Sequence, residues 1–367
     1  MRKLRTCSLW MSAISLIVAS ASLAQVPRFT SARVENLSAK AGLEREFRAL
    51  LIRQAEPAWA GYTVPMIAGG GMKCCCESSS EFRSSGACGR CQLEDHQGNV
   101  NMQTDPTKII RLESPELLLV LFRLKDKNIQ RIRVFSQECE LDAGGLPVYW
   151  LTDVSSTESV AWLSSFATAQ PSKEEEQSKH LRNSAVAAIA LHAGEAADKA
   201  LGEFVAPHQP EALRRDAVFW LGSARAKSGY DVLRRIVRDD PSEKVREHAV
   251  FALSISKEPQ AVDTMIEVAH QDASSNVRGQ ALFWLAQKAG RKAVGAITEA
   301  IEKDPETDVK RHAVFALSQL PKDEGVTKLI EVARTNRNPA VRKQAIFWLG
   351  QSKDPRALAF FEEVLLH

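Results

Sequence analysis

The chain has 367 residues, with 44% hydrophobic and 25% charged side chains, which is a globular composition and not a disordered or fibrous one. Its 48 Lys and Arg against 45 Asp and Glu give a net charge of +3, and three of those cations (Arg2, Lys3, Arg5) stand in the first few residues. A leader ending before Gln25 would take them away and leave the remainder balanced, which argues against a general nucleic-acid binder. Residues 1–24 have the form of a signal peptide: a basic start, an apolar stretch from Leu9 to Ala19, and Ser22 and Ala24 ahead of Gln25. The apolar stretch is shorter than a spanning helix needs, and no later segment reaches that length. The expectation is a periplasmic or secreted bacterial protein exported through the general route, with no stable membrane insertion after the leader is cleaved.

Residues 25–153 read as a small α+β head. A helix is expected over 35–55, ending before Pro57. AWAGYTVPMI (58–67) reads as a strand. Leu117–Lys125 and Ile129–Ser136 read as a hairpin turned by Asp126, Lys127 and Asn128, and Leu146–Leu151 as one more strand. Between them lies a loop rich in Gly, Ser and Cys (69–92). It carries Cys74, Cys75, Cys76, Cys88 and Cys91, and Cys139 follows the hairpin. Three readings of these six cysteines stand. In an exported chain an even number favours structural disulfides. The Cys88-Gly-Arg-Cys91 spacing also occurs in redox proteins, but those place it at a helix N-terminus. A metal centre is the third reading, with one Cys-x-x-Cys where two are usual.

From about residue 154 onward the sequence repeats. The segments starting at Leu181, Leu213, Val245, Val277, Val309 and Val341 align at a constant step of 32 residues. Val245, Ala249, Ala252 and Leu253 form one apolar stripe at helical spacing. A second amphipathic stretch follows each of these segments, for example 261–270 and 325–334. Asp-Pro and Asn-Pro pairs punctuate the joints. The fold expected is an α-solenoid of about six helical hairpins plus a C-terminal helix over 154–367, mostly α overall, with the head in front.

Three features recur within the repeat. The cations Arg246, Arg278 and Lys310 stand six residues after Asp240, Asp272 and Asp304, and read as a structural ladder of ion pairs between repeats. One stripe position alternates Ala and Trp (Trp220, Trp284, Trp348), which reads as core packing with alternating volumes. The residue before it is Phe in five repeats: Phe219, Phe251, Phe283, Phe315 and Phe347. On a helical wheel it lies nearly opposite the stripe, beside His248 and His312. Either the Phe rings form an apolar ribbon for a partner, or they are wedged between neighbouring helices. The two histidines are too far apart to share a metal.

The Val-Arg-x-x-Ala-Val-x-Ala-Leu pattern resembles the short HEAT-like repeat of the kind found in phycobilisome lyases, over about residues 155–367. The whole chain resembles exported bacterial HEAT-repeat proteins. That resemblance implies an architecture and no activity. Deoxyhypusine hydroxylase is a related solenoid whose His-Glu pairs hold iron; here the order is Glu247-His248 and Arg311-His312, so that site does not carry over. No catalytic, metal or cofactor motif stands elsewhere. The function expected is therefore a non-catalytic exported scaffold that binds a protein or peptide along the concave face. The alternative is a thiol–disulfide or metal-dependent enzyme using the Cys-rich loop, and a chaperone for a prosthetic group rests on the family likeness alone.

Overall fold

The computed structural model describes residues 27–54, 56–70, 91–94, 116–169 and 175–366. The leader and Cys74, Cys75, Cys76 and Cys88 lie outside the described residues.

The chain opens with β1 (Phe29–Thr30), β2 (Arg33–Ser38) and α1 (Leu43–Arg53), followed by β3 (Ala58–Pro65), β4 (Cys91–Gln92), β5 (Leu117–Lys125), β6 (Asn128–Ser136), β7 (Leu141–Asp142) and β8 (Pro147–Thr152). Five of these form one sheet in the order β2-β8-β3-β5-β6, and β1, β7 and β4 form a small second sheet. The expected helix over 35–55 therefore starts late. Residues 35–38 belong to β2, an edge strand paired in parallel with β8. Its polar sequence, RVENLS, suits an edge with few buried side chains. The β5–β6 hairpin closes on Asp126 and Lys127, both at positive φ (53° and 59°), as a two-residue turn with the twist of its strands requires.

Alternation along the strands buries both faces of the large sheet. Ala60, Tyr62, Val64, Val120 and Phe122 face α1 and the helices beyond it. Trp59, Leu119, Leu121, Val148 and Trp150 face the small sheet, where Cys91, Leu93, Cys139 and Leu141 complete a second core.

After β8 comes α2 (Ser156–Ala167), started by a capping box in which Ser155 and Glu158 satisfy each other's backbone N–H groups. Six hairpins follow: α3 (Glu175–Leu191) with α4 (Glu195–Phe204); α5 (Glu211–Ala224) with α6 (Ala226–Asp239); α7 (Glu243–Ile255) with α8 (Ala261–Gln271); α9 (Ser275–Ala289) with α10 (Val294–Lys303); α11 (Thr307–Ser318) with α12 (Lys322–Thr335); and α13 (Pro339–Ser352) with α14 (Pro355–Leu366). The last helix completes the sixth hairpin, and the additional helix is α2, at the other end. The odd-numbered helices α3 to α13 pack directly on one another, whereas the even-numbered row is in sparser contact. In a curved stack the tighter row is the inner one, so the odd-numbered helices line the concave side.

The head and the array share one core, which runs from α1 and the sheet through α2 and α3 into the repeats. Backbone bonds cross the junction, from Ile67 N–H to the Leu191 carbonyl and from Ala193 N–H to the Pro65 carbonyl.

Candidate functional site: the aromatic face of the array

The odd-numbered helices are held in register by their arginines. Arg214, Arg246 and Arg278 each reach the aspartate of the turn leading into the next odd-numbered helix: Asp240, Asp272 and Asp304. The Arg246 and Arg278 pairs are bidentate, at 2.8–3.1 Å. Arg246 and Arg278 also donate to the carbonyls of Asp240 and Asp272, in the turns before their own helices. Each aspartate Oδ1 in turn accepts a backbone N–H two residues on, at Ser242, Ser274 and Glu306. One arginine thus ties two consecutive turns together, and the carboxylate belongs to the following repeat, not its own. The ladder weakens toward the C-terminus. Asn336 stands where the aspartate 26 residues after Lys310 would be, and Lys310 donates instead to the Glu302 carbonyl; Arg342 keeps the bond to the turn before its own helix, at the carbonyls of Asn336 and Arg337.

With the helices fixed at this spacing, the recurrent Phe and the alternating Trp meet. Phe219 stacks on Phe251 at 6.2 Å, Phe251 meets Trp284 at 4.8 Å, Phe283 stacks on Phe315 at 5.6 Å, and Phe315 meets Trp348 at 4.8 Å. Within repeats, Trp220, Trp284 and Trp348 stand edge-on to Phe219, Phe283 and Phe347. The result is one aromatic run crossing five repeats. Phe251, Phe283 and Phe315 are half-buried, while Phe219 and Phe347 at the two ends are 37% and 52% exposed. Both geometric expectations for the Phe rings are therefore realised in part: they wedge between helices and leave an edge to solvent.

The Trp rings depart from the sequence reading. They are half-buried and not sealed in the core, although Ala188, Ala252 and Ala316 at the same position are fully buried. The Cβ points into the stripe, but the space there fits only a methyl group. The indole slides out between the helices and packs on Phe.

Polar groups border the run. Asn276, Asp308, Arg311, His312 and Gln344 surround Phe315 and Trp348 in a shallow concavity of about 500 Å³. His312 lies over Gly279, where a Cβ would come within 2.3 Å of its Nδ1. Only glycine permits so close an approach. His248 instead turns its Nδ1 to the Lys244 carbonyl of its own helix, at 3.1 Å. The two histidines do not come together.

Three side chains that sequence reasoning missed lie at the junction of head and array. Ser159 Oγ lies 2.7 Å from both Tyr62 Oη and His192 Nε2, and His192 Nδ1 lies 2.7 Å from the Ala188 carbonyl. The carbonyl only accepts, so Nδ1 carries the proton, Nε2 accepts from Ser159, and Tyr62 donates to Ser159. Burial pushes the His192 pKa down to about 4, against the hydrogen bond to Ala188, with Arg225 lowering it further. All three side chains are inaccessible, so this chain of hydrogen bonds fastens the two parts and has no route to a substrate. The residues are far apart in sequence, and no local motif announces them.

Cys91 and Cys139 are buried in the second core and are disulfide-bonded. Among the described residues, no group of three His, Cys, Asp or Glu side chains is placed to hold a metal, and no helix is long and apolar enough to cross a membrane.

A family model described as HEAT repeats matches residues 199–286, 262–335 and 294–367. No curated protein matches the chain by sequence. Among solved structures, similar chains are found. Human deoxyhypusine hydroxylase is 16% identical, covering 57% of this chain and 90% of its own, with a TM-score of 0.30. The CpcE–CpcF complex of phycocyanin lyase from Nostoc is 19% identical over 57% and 80%, at 0.32. Kap95p in its complex with RanGDP is 18% identical over 57% and 31%, at 0.33. These superposition scores are low, so the assignment stands on the family match and the repeat geometry. Residues 199–367 are an array of HEAT repeats, set behind a sheet-containing N-terminal region.

Proposed function

We propose that the protein is a non-catalytic, exported interaction scaffold whose HEAT array docks a protein or peptide segment along its concave, aromatic face. The observation that carries this reading is the Phe/Trp run, continuous across five repeats and half-exposed. A surface that is apolar along its centre and polar at its rim has the composition of a protein-docking groove. The leader-like N-terminus and the disulfide-bonded Cys91 and Cys139 support export to an oxidising compartment. Burial of both sulfurs in an apolar core supports a structural and not a redox role for them.

Phe283 and Phe315, stacked on each other at the middle of the run, test it. Alanine at either position is expected to weaken partner binding by roughly 1–2 kcal/mol or more. Because each ring is half-buried, the stability loss should fall below the roughly 3–5 kcal/mol of a fully buried Phe. Large destabilisation with unchanged affinity would leave the run as packing alone.

A further inference from the structure

The aromatic run has a longer period than the repeat. Phe219 meets Phe251 at 6.2 Å and Phe251 meets Trp284 at 4.8 Å; two repeats further on, Phe283 meets Phe315 at 5.6 Å and Phe315 meets Trp348 at 4.8 Å. One helical turn before each Phe/Trp contact stand an imidazole and an amide: His248 and Gln280 before Phe251 and Trp284, His312 and Gln344 before Phe315 and Trp348. The same four side chains therefore recur at the spacing of two repeats. The second set lines the shallow concavity, where His312 rests over Gly279. The side chains of Gln280, His312 and Gln344 hydrogen-bond to no other described residue, so a row of free donors and acceptors runs beside the rings.

We infer that the segment docked on this face is an extended peptide that crosses the odd-numbered helices and carries two apolar side chains six residues apart, one for each Phe/Trp contact. The inference rests on the docking reading above and specifies its occupant. Neighbouring helices lie about 8–10 Å apart, so two repeats span about 16–20 Å. An extended chain rises about 3.3 Å per residue and covers that span in about five or six residues. Side chains alternate along a strand, so an even spacing sends both anchors to the same face and an odd one does not. A helix covers the span in about twelve residues, but its backbone groups are already paired. An extended backbone needs both donors and acceptors, and a Gln amide or a neutral imidazole supplies both. Charge gives the segment its polarity. Helices α7 and α9 border the first contact with Glu243, Lys244 and Glu247, two anions against one cation. Helices α11 and α13 border the second with Asp308, Arg311 and Lys343, one anion against two cations. Asp308 and Arg311 pair with each other at 3.2 Å, which leaves Lys343 to the ligand. A cation beside the first anchor and an anion beside the second complement these borders.

The test titrates the full chain with fluorescent synthetic peptides and reads anisotropy. Each probe has two Phe anchors in a Ser/Thr background, with Lys beside one and Glu beside the other, in both sequence directions. The anchor spacing runs from four to eight residues, and an Ala-rich helical probe carries the anchors about twelve apart. The six-residue spacing is expected to bind about ten-fold tighter than the five- or seven-residue spacing or a single anchor. Gln280→Ala and Gln344→Ala, at positions outside the core, should each weaken it by about three- to ten-fold. Lys343→Glu should weaken it too, and exchanging the peptide's Glu for Lys should restore binding to that variant. Binding that ignores spacing, a helical probe that binds best, or Gln variants without effect overturns the inference. If the helical probe binds best and the joint Phe283→Ala, Phe315→Ala variant, still melting cooperatively, loses it, docking on this face stands and the extended geometry falls. If no probe binds, or binding survives the loss of both rings, both fall.

Discussion

Removing the Arg278 guanidinium tests the physical basis of repeat stacking. Arg278 and Asp304 side chains are 9% and 6% exposed and joined by two hydrogen bonds of 2.8 and 3.1 Å. Arg278→Met keeps the aliphatic packing but strands the Asp304 carboxylate, whose remaining donor is the Glu306 N–H at 2.9 Å. It also deprives the Asp272 carbonyl of its donor. Breaking a buried pair from one side costs about 3–5 kcal/mol. Asp304→Asn keeps the turn bond and strands the arginine, at a similar or smaller cost. With both changes no unpaired charge remains, so the double variant should be more stable than the sum of the singles implies, by about 1–3 kcal/mol. Lys310→Met is the control. Its ammonium meets only an exposed backbone carbonyl, so the loss should stay below about 1 kcal/mol. Urea unfolding followed by circular dichroism measures all four, with the m-value watched for uncoupling of the repeats. Equal costs at Arg278 and Lys310, or strict additivity of Arg278→Met and Asp304→Asn, would refute the ladder as the element that fixes repeat register.

Other outcomes follow from single contacts. His192 is neutral in the fold with a pKa of about 4, below its ordinary value near 6.5, so the unfolded chain binds the extra proton between those values. The stability contribution is therefore complete above pH 6.5 and lost as pH falls toward 4, by about 3 kcal/mol. His192→Gln should flatten that slope in melts taken from pH 7 to pH 4, and an unchanged slope would mean that His192 is not its source. Ser274 caps α9 by accepting the Val277 N–H, so Ser274→Ala should cost about 1 kcal/mol by urea titration. Gly279→Ala should displace the His312 ring, read as a shifted His312 resonance in NMR spectra, because the added methyl falls within 2.3 Å of it.

The array was legible because each repeat meets only its neighbours, so a local 32-residue period carries the three-dimensional information. The recurring cations and aspartates were legible for the same reason; which repeat supplies the carboxylate was not, and neither was the turning of Lys310 to a backbone carbonyl. The choice of repeat depends on the length of the intervening hairpin: the partner lies 26 residues ahead of Arg246, and not 6 residues behind it. The helical wheel set the Phe rings opposite the stripe, where the structure has them half-buried between helices, and it misplaced the Trp rings. A wheel assigns a direction to Cβ and says nothing about where a large ring finds room. In the head, β5, β6 and β8 showed themselves as apolar runs. The strand β2 did not, since a parallel edge strand is defined by its distant partner, here Trp150 opposite Asn36, and not by its own pattern. The Tyr62–Ser159–His192 link is non-local in the same way. Its members lie 33 and 97 residues from Ser159, and only folding brings them together.

The most direct measurement places a photo-crosslinking side chain at exposed positions on the two sides of the array in the full chain, expressed in its native host. Gln280 and Lys343 stand on the odd-numbered helices beside the aromatic run, and Glu267 stands on α8 in the outer row. Docking along the concave face predicts adducts of one discrete mass from Gln280 and Lys343, none from Glu267, and their loss when Phe283→Ala and Phe315→Ala are introduced together into a variant that still melts cooperatively. Equal adducts from Glu267, or adducts from the concave face that persist without the two rings, would contradict it.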